Sequence, residues 1–261
     1  MKKIHITLPL ALIALAVWLG LTLGLVRLQA GGIGLSWLLA ALFALLVSLA
    51  GNERRISGLH APSPLRSWWL VSPILLYSLL MLVVAWAGGW PAPKALLLVA
   101  GNAALVALSE ELMFRAILLQ GLLDRYAIWP AVLLSSALFG VAHTANGLAT
   151  GDLGGALWQA TAAFLQGIVY AAIRLRTRSV WPMMVVHGVW DFALVSSIQG
   201  ATAGDEASIL PYAALLAVLP LCLYGVYLLR GSQRAQLQQE FQLHDVKGKD
   251  HEDSRIQHTP L

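Results

Sequence analysis

Charge is what this chain has least of. Only 11% of its 261 residues are Asp, Glu, Lys or Arg, where a soluble domain carries about 25%. With 58% hydrophobic residues and a mean hydropathy of +0.72, an ordinary soluble enzyme is excluded and a polytopic membrane protein is indicated. Cysteine is almost absent. Cys222 stands alone, so no disulfide can close within the chain and the thiol content says nothing of the redox compartment. Basic clusters are missing too. The formal net charge of +4 is spread over short segments between apolar runs, which excludes a nucleic-acid partner. No internal repeat is visible of the kind that builds a transporter from related halves. Nor does the start, Met1-Lys2-Lys3, introduce a cleaved signal. Its apolar run from Ile6 to Val26 outlasts the ~7–15 residues of a signal core and is read as a retained first span.

What the chain has is apolar length. Windows at about 6–28, 33–50, 68–87, 94–123, 129–147, 154–174, 180–198 and 209–229 each approach or exceed the ~20 residues that a spanning helix needs. The fold expected is all-α, with about eight transmembrane helices. Basic residues set the orientation. With the N-terminus inside, the inner segments hold Lys2, Lys3, Arg54, Arg55, Arg66, Arg125, Arg174, Arg176, Arg178 and the basic tail. The outer ones hold only Arg27 and Lys94, beside Asp152, Asp205 and Glu206. Both termini are therefore expected in the cytoplasm. Tryptophans mark the borders, with Trp68, Trp69, Trp129 and Trp181 at inner edges and Trp37, Trp86, Trp90 and Trp158 at outer ones. Residues 231–261 are polar and read as a cytoplasmic tail, in which His244, His251 and His258 recur every seven residues on a solvated segment.

Against that apolar ground six ionisable residues lie well inside spans. They are Glu110, Glu111 and Arg115 in the fourth, His143 in the fifth, and His187 with Asp191 in the seventh. A charged side chain at mid-membrane costs about 2.5–3.5 kcal/mol on insertion scales. Such residues face partners or water-filled cavities and mark sites by default. Taken singly, Glu111–Arg115 reads as a structural ion pair, and either histidine as a packing residue. Together, on three helices, they read as one shared interior site. On a helix Glu111 and Arg115 are i, i+4 and share a face, while Glu110 points about 100° away. One carboxylate is thus fixed by the guanidinium and one is left for chemistry. Measured from the inner ends of their spans, Glu110 lies roughly 20 Å deep, His143 roughly 21 Å, Asp191 roughly 16 Å and His187 roughly 10 Å. Tilt and a broken helix can bring them level, and Thr144-Ala145-Asn146-Gly147 is a candidate break.

A carboxylate kept from water is a stronger base than one in bulk solvent and, beside a histidine, can polarise a water for attack on a carbonyl. His187 and Asp191, at i, i+4, can orient one another, and an imidazolium there can stabilise an oxyanion. Two histidines and a carboxylate, here His143, His187 and Glu110, are equally the ligand set of a catalytic zinc. The residues alone leave both mechanisms open.

Three motifs now carry a resemblance. Glu110-Glu111-Leu112-Met113-Phe114-Arg115, then Phe139-Gly140-Val141-Ala142-His143, then His187-Gly188-Val189-Trp190-Asp191 occur in the order and on the late spans typical of the CAAX-protease and bacteriocin-processing (CPBP) intramembrane proteases. The sequence over about 94–198 resembles this family, which includes the type II CAAX prenyl endopeptidase. Asp191 stands where the family usually has Asn. The resemblance implies hydrolysis of peptide bonds within the membrane. By position, Glu110 with His143 would activate the water, Arg115 would hold Glu111, and His187 with residue 191 would stabilise the oxyanion. It leaves a zinc and a metal-free glutamate mechanism equally open. For Asp191 the preferred reading is that it holds His187 as a cation.

The domain organisation expected is 1–93 for three N-terminal spans, 94–198 for the catalytic core, 199–230 for the last span and 231–261 for the tail. Partners expected are a membrane-associated protein or peptide substrate and the bilayer, in a bacterial inner membrane. Two other classes compete: a proton- or ion-coupled transporter, since buried acid–histidine chains also relay protons, and a non-catalytic immunity or scaffold protein. The first predicts Glu110-dependent transport without cleavage. The second predicts that Glu110→Gln leaves the phenotype intact.

Overall fold

The computed structural model describes residues 4–25, 29–30, 32–51, 57–201 and 210–231. The residues expected at loop positions Lys2, Lys3, Arg27, Arg54, Arg55, Asp205 and Glu206, and the histidines of the tail, lie outside that set. Each apolar window of the sequence is a helix. They are α1 (Leu8–Gly24), α2 (Leu35–Ala50), α3 (Ser72–Gly88, entered through a 3-10 turn at Leu65–Val71) and α4 (Pro93–Leu123). Then come α5 (Ile128–Thr144), α7 (Leu153–Thr177), α8 (Trp181–Ala201) and α9 (Leu210–Leu228), with a short α6 (Asn146–Thr150) between α5 and α7. A ribbon of two-residue strands, β1 (Gln29–Ala30) and β2 (Ile33–Gly34), joins α1 to α2. Among the described residues, four segments are long and apolar enough to cross a membrane: Leu65–Gly88, Pro93–Leu123, Ile128–Leu148 and Leu153–Thr177. The chain is an all-α membrane protein.

Packing follows the logic of lipid rather than of water. Ala11, Ala14, Ala40, Ala44, Ala103, Ala107 and Ala163 face inward, whereas Leu12, Ile13, Leu42, Leu46, Leu79, Val83 and Leu97 face out. A large apolar side chain gains nothing by leaving the acyl chains, so small residues line helix contacts and let the backbones close. Gly140 shows how close. A Cβ there would lie 2.7 Å from the carbonyl oxygen of Ala160, across the α5–α7 contact, and one at Gly167 would lie 2.9 Å from Ser136 Cβ.

Two walls result. α4 packs between α2 and α8, with α1 against α2 and α3 against α8, while α7 packs between α5 and α9. The middle of α4 closes the space between them. There, over Leu112–Leu118, the helix widens into a π-helix in which every residue is buried. Its Phe114 carbonyl accepts a hydrogen bond from Ser135 Oγ of α5 (3.2 Å), so a backbone displaced from the α-helical ladder still finds a donor in an apolar interior.

Candidate active site

The π-helix begins directly after Glu111, where the Leu112 N–H is shared between the carbonyls of Leu108 and Ser109. Such insertions are frequent at functional sites because they re-aim the side chains on either side. Both carboxylates stay inside the protein, Glu110 at 4% and Glu111 at 0% exposure. The spacing argument holds for Arg115, whose Nη1 lies 3.1 Å from Glu111 Oε1. Aromatic faces surround the same guanidinium: its carbon is 4.3 Å from the ring centre of Phe139 and 5.3 Å from that of Tyr170. The cation is thus held by a carboxylate on one side and ring quadrupoles on others.

His187 is the hub. Its Nδ1 donates to Glu111 Oε1 at 2.8 Å, so Glu111 is shared between the guanidinium and the imidazole. Its Nε2 lies 3.6 Å from Glu110 Oε2 and 3.5 Å from Asp191 Oδ2, within ion-pair reach of both but beyond a good hydrogen bond. The sequence placed Asp191 beside this ring and missed Glu111. Glu110 Oε2 has no hydrogen-bond partner among the described residues. It faces a cavity of about 1000 Å³ that is also lined by His143, His187 and Asp191. His143 donates from Nδ1 to the carbonyl of Phe139 (2.8 Å), which in the neutral ring leaves Nε2 as the acceptor. All six residues singled out in the sequence belong to one locality, with Glu111 and Arg115 behind and the other four at the cavity.

The possible break after His143 is slight: Ala145, between α5 and α6, keeps helical angles, and the helix runs on from Ile128 to Leu148. The roughly 10 Å figure for His187 assumed that α8 starts at the same level as the other helices end. Instead the two residues before it, Ser179 and Val180, are fully buried under the segment that leads to α3, where Val180 N–H donates to Gly58 O and Ser179 Oγ to His60 O. Counting from a helix end misplaces a residue when that end is itself interior.

Other groups went unread. Tyr170 is wholly buried, its ring 5.3 Å from that of His187 and its hydroxyl accepting from Gln166 Nε2 at 2.6 Å. Trp18 donates to Ser109 Oγ (2.8 Å) and, with Trp37, lines the cavity, so Trp37 is a wall of the cavity and not the simple lipid anchor that its position suggested. Asn102 clamps the ribbon: Oδ1 accepts from Gly34 N–H, and Nδ2 donates to the carbonyls of Gly32 and Leu98. A polar residue in an apolar helix was the available signal for Asn102. Nothing in the pattern marked Tyr170.

The zinc candidates Glu110, His143 and His187 do not form a ligand set. Among the described residues no three His, Cys, Asp or Glu side chains are disposed around a common point. Nδ1 of His187 bonds to Glu111 and Nδ1 of His143 to a backbone carbonyl, which leaves Nε2 as the free ring nitrogen of each. No step below is routed through a metal.

Residues 91–193 match the family model described as Rce1-like, type II CAAX prenyl endopeptidase Rce1-like. The matched stretch contains all three motifs and all six of their ionisable residues. It agrees with the resemblance drawn from those motifs. Neither the curated proteins nor the solved structures returned a match.

Proposed function

From a chain whose residues 91–193 are similar to the type II CAAX prenyl endopeptidases, we propose an intramembrane endopeptidase that uses a glutamate-activated water. The supporting observation is Glu110, a buried carboxylate whose Oε2 has no hydrogen-bond partner among the described residues, at the wall of a cavity beside two histidines. Residues 94–198 are read as the catalytic core, within eight spans whose two ends both lie in the cytoplasm.

The chemistry runs in two steps. Glu110 takes a proton from water while the water oxygen bonds to the scissile carbonyl carbon, and His143 Nε2 accepts a hydrogen bond that orients that water. The carbonyl oxygen becomes an oxyanion next to His187. Both ring nitrogens of His187 face carboxylate oxygens, which only accept, so the ring is written as the imidazolium with Nε2–H as the oxyanion donor. Collapse of the intermediate breaks the C–N bond, and Glu110 returns its proton to the departing amine. Glu111 and Arg115 position the imidazolium and do not touch substrate. Asp191 balances its charge from the cavity side.

The experiment compares new N- and C-termini in membranes of cells that express the wild type or Glu110→Gln at equal levels. Termini seen only with the wild type support the assignment and identify the substrates. Equal sets of termini, with the variant inserted and folded, overturn it, and Glu110-dependent ion movement in liposomes would then favour a transporter.

A further inference from the structure

Among the described residues the cavity lining runs from Glu110 toward one end of the bundle, and charge identifies that end. At the closed end, Ile4 N–H donates to Ala50 O, Ser63 N–H to Thr177 O and Val180 N–H to Gly58 O, while His5 Nε2 meets Asp124 Oδ1 at 2.8 Å. These contacts gather the start of α1, the end of α2, the approach to α3, the end of α4, the end of α7 and the start of α8. Between this end and Glu110 stand Leu112 to Leu122, every one buried. They make a plug roughly 16 Å thick at 1.5 Å per residue. In the opposite direction the cavity follows α4 from Glu110 past Asn102 to Ala95, and is bounded by Leu23, Leu148 and Gln199 from the far ends of α1, α6 and α8.

Arg66, Arg125, Arg174, Arg176, Arg178 and Arg230 belong to the plugged end, and of the described basic side chains only Lys94 belongs to the open one. Basic residues stay on the cytoplasmic side of a polytopic chain. We infer that the site is loaded from the non-cytoplasmic side of the membrane, and that its substrate is an uncharged, extended peptide segment presented at that face. The inference rests on the peptidase reading for its substrate and on charge and packing for its sidedness. From Ala95 to Glu110 the lining spans about 22 Å, room for roughly six or seven residues of extended chain at ~3.3 Å each. Among the described residues, no ionisable side chain lines it apart from the site's own Glu110, His143, His187 and Asp191. A charge within that segment would have to leave water without a partner. A tail presented from the cytoplasm would meet the plug.

Two measurements separate sidedness from chemistry. In a Cys222→Ala background, Leu148→Cys and Leu65→Cys place single thiols at the open and plugged ends, at positions where the native side chains are 84% and 68% exposed. A membrane-impermeant maleimide on intact right-side-out vesicles is expected to label Leu148→Cys and spare Leu65→Cys, with inverted vesicles giving the reverse. The opposite pattern overturns the sidedness. An anchored reporter with a seven-residue uncharged segment is then displayed on either face of the membrane. Glu110-dependent cleavage on the non-cytoplasmic face alone, lost at least tenfold when a lysine is placed in the segment, supports the substrate class. Cleavage on the cytoplasmic face alone overturns the inference and leaves the peptidase reading standing. Cleavage on neither face, with labelling as expected, overturns the substrate class and the peptidase reading while the sidedness stands.

Discussion

Replacing Arg115 by methionine removes a guanidinium that is 1% exposed and leaves its partner buried. Glu111 is then held through His187 alone, with no exposure to water and with Oε2 already lacking a hydrogen bond. Breaking a buried ion pair from one side costs about 3–5 kcal/mol, mostly because the abandoned charge has nowhere to go. For a chain of this size each kcal/mol shifts Tm by roughly 2–4 °C, so Arg115→Met is expected to melt roughly 6–20 °C lower in detergent. Glu111→Gln strands the opposite charge and should lose a comparable amount. The double variant strands neither and should recover most of it, a coupling of about 2 kcal/mol or more. Arg115→Lys isolates the flat contact with Phe139 at 4.3 Å. It keeps the charge but loses the planar fork and part of the ring interaction, about 0.5–2 kcal/mol. The assay is thermal unfolding of the four variants and the wild type in one detergent, with cleavage measured alongside. A loss below about 1 kcal/mol for Arg115→Met, or losses that simply add in the double variant, would refute the idea of a carboxylate held by its guanidinium.

Asp191→Asn is expected to retain cleavage or to raise it, because an amide beside His187 Nε2 keeps a hydrogen-bonding group there at any pH while Glu111 still holds Nδ1. A loss of about a hundredfold, the scale of a missing oxyanion-hole contact, would instead give the aspartate an essential charge. Gly140→Leu, which drives a side chain into the Ala160 carbonyl across α5 and α7, should destabilise by about 1–3 kcal/mol, measured by the same melts. Dialysis against a strong chelator should leave cleavage unchanged, since among the described residues no three His, Cys, Asp or Glu side chains are disposed around a common point. Activity lost on dialysis and restored by zinc would reverse that reading.

The helices were legible because lipid imposes a pattern that sequence cannot hide: eight long apolar windows, each a helix at nearly the expected bounds. The Glu111–Arg115 pair was legible for a local reason, since i, i+4 contacts are set by the helix alone. The His187–Glu111 bond was not. It depends on how α8 sits against α4, and the widening of α4 at Leu112 leaves no periodic trace among residues that are all apolar. The same holds for Tyr170, a buried aromatic in a helix rich in buried residues. The direction in which the cavity opens required both kinds of information. Charge counts orient the chain, but only packing tells which half of the bundle is solid.

Glu110 and Glu111 are neighbours of the same chemistry, and the structure assigns them opposite energetic signs. Glu111 Oε1 is within 3.1 Å of Arg115 and 2.8 Å of His187, so its charge is compensated. Among the described residues Glu110 has an ion-pair contact only with His187, at 3.6 Å, and its Oε2 makes no hydrogen bond. A buried charge with so little compensation opposes folding, whereas a neutral amide of the same shape loses far less on burial. Glu110→Gln should therefore leave stability unchanged or raise it by up to about 2 kcal/mol, while cleavage falls by about 10²–10⁴, the usual contribution of a general base. Glu111→Gln should lower stability and cleavage together. If both variants lose stability equally, Glu110 is one more member of a structural ion network. If only Glu111→Gln does, the neighbouring carboxylate is held in the bundle at the expense of stability, and packing cannot be its reason for being there.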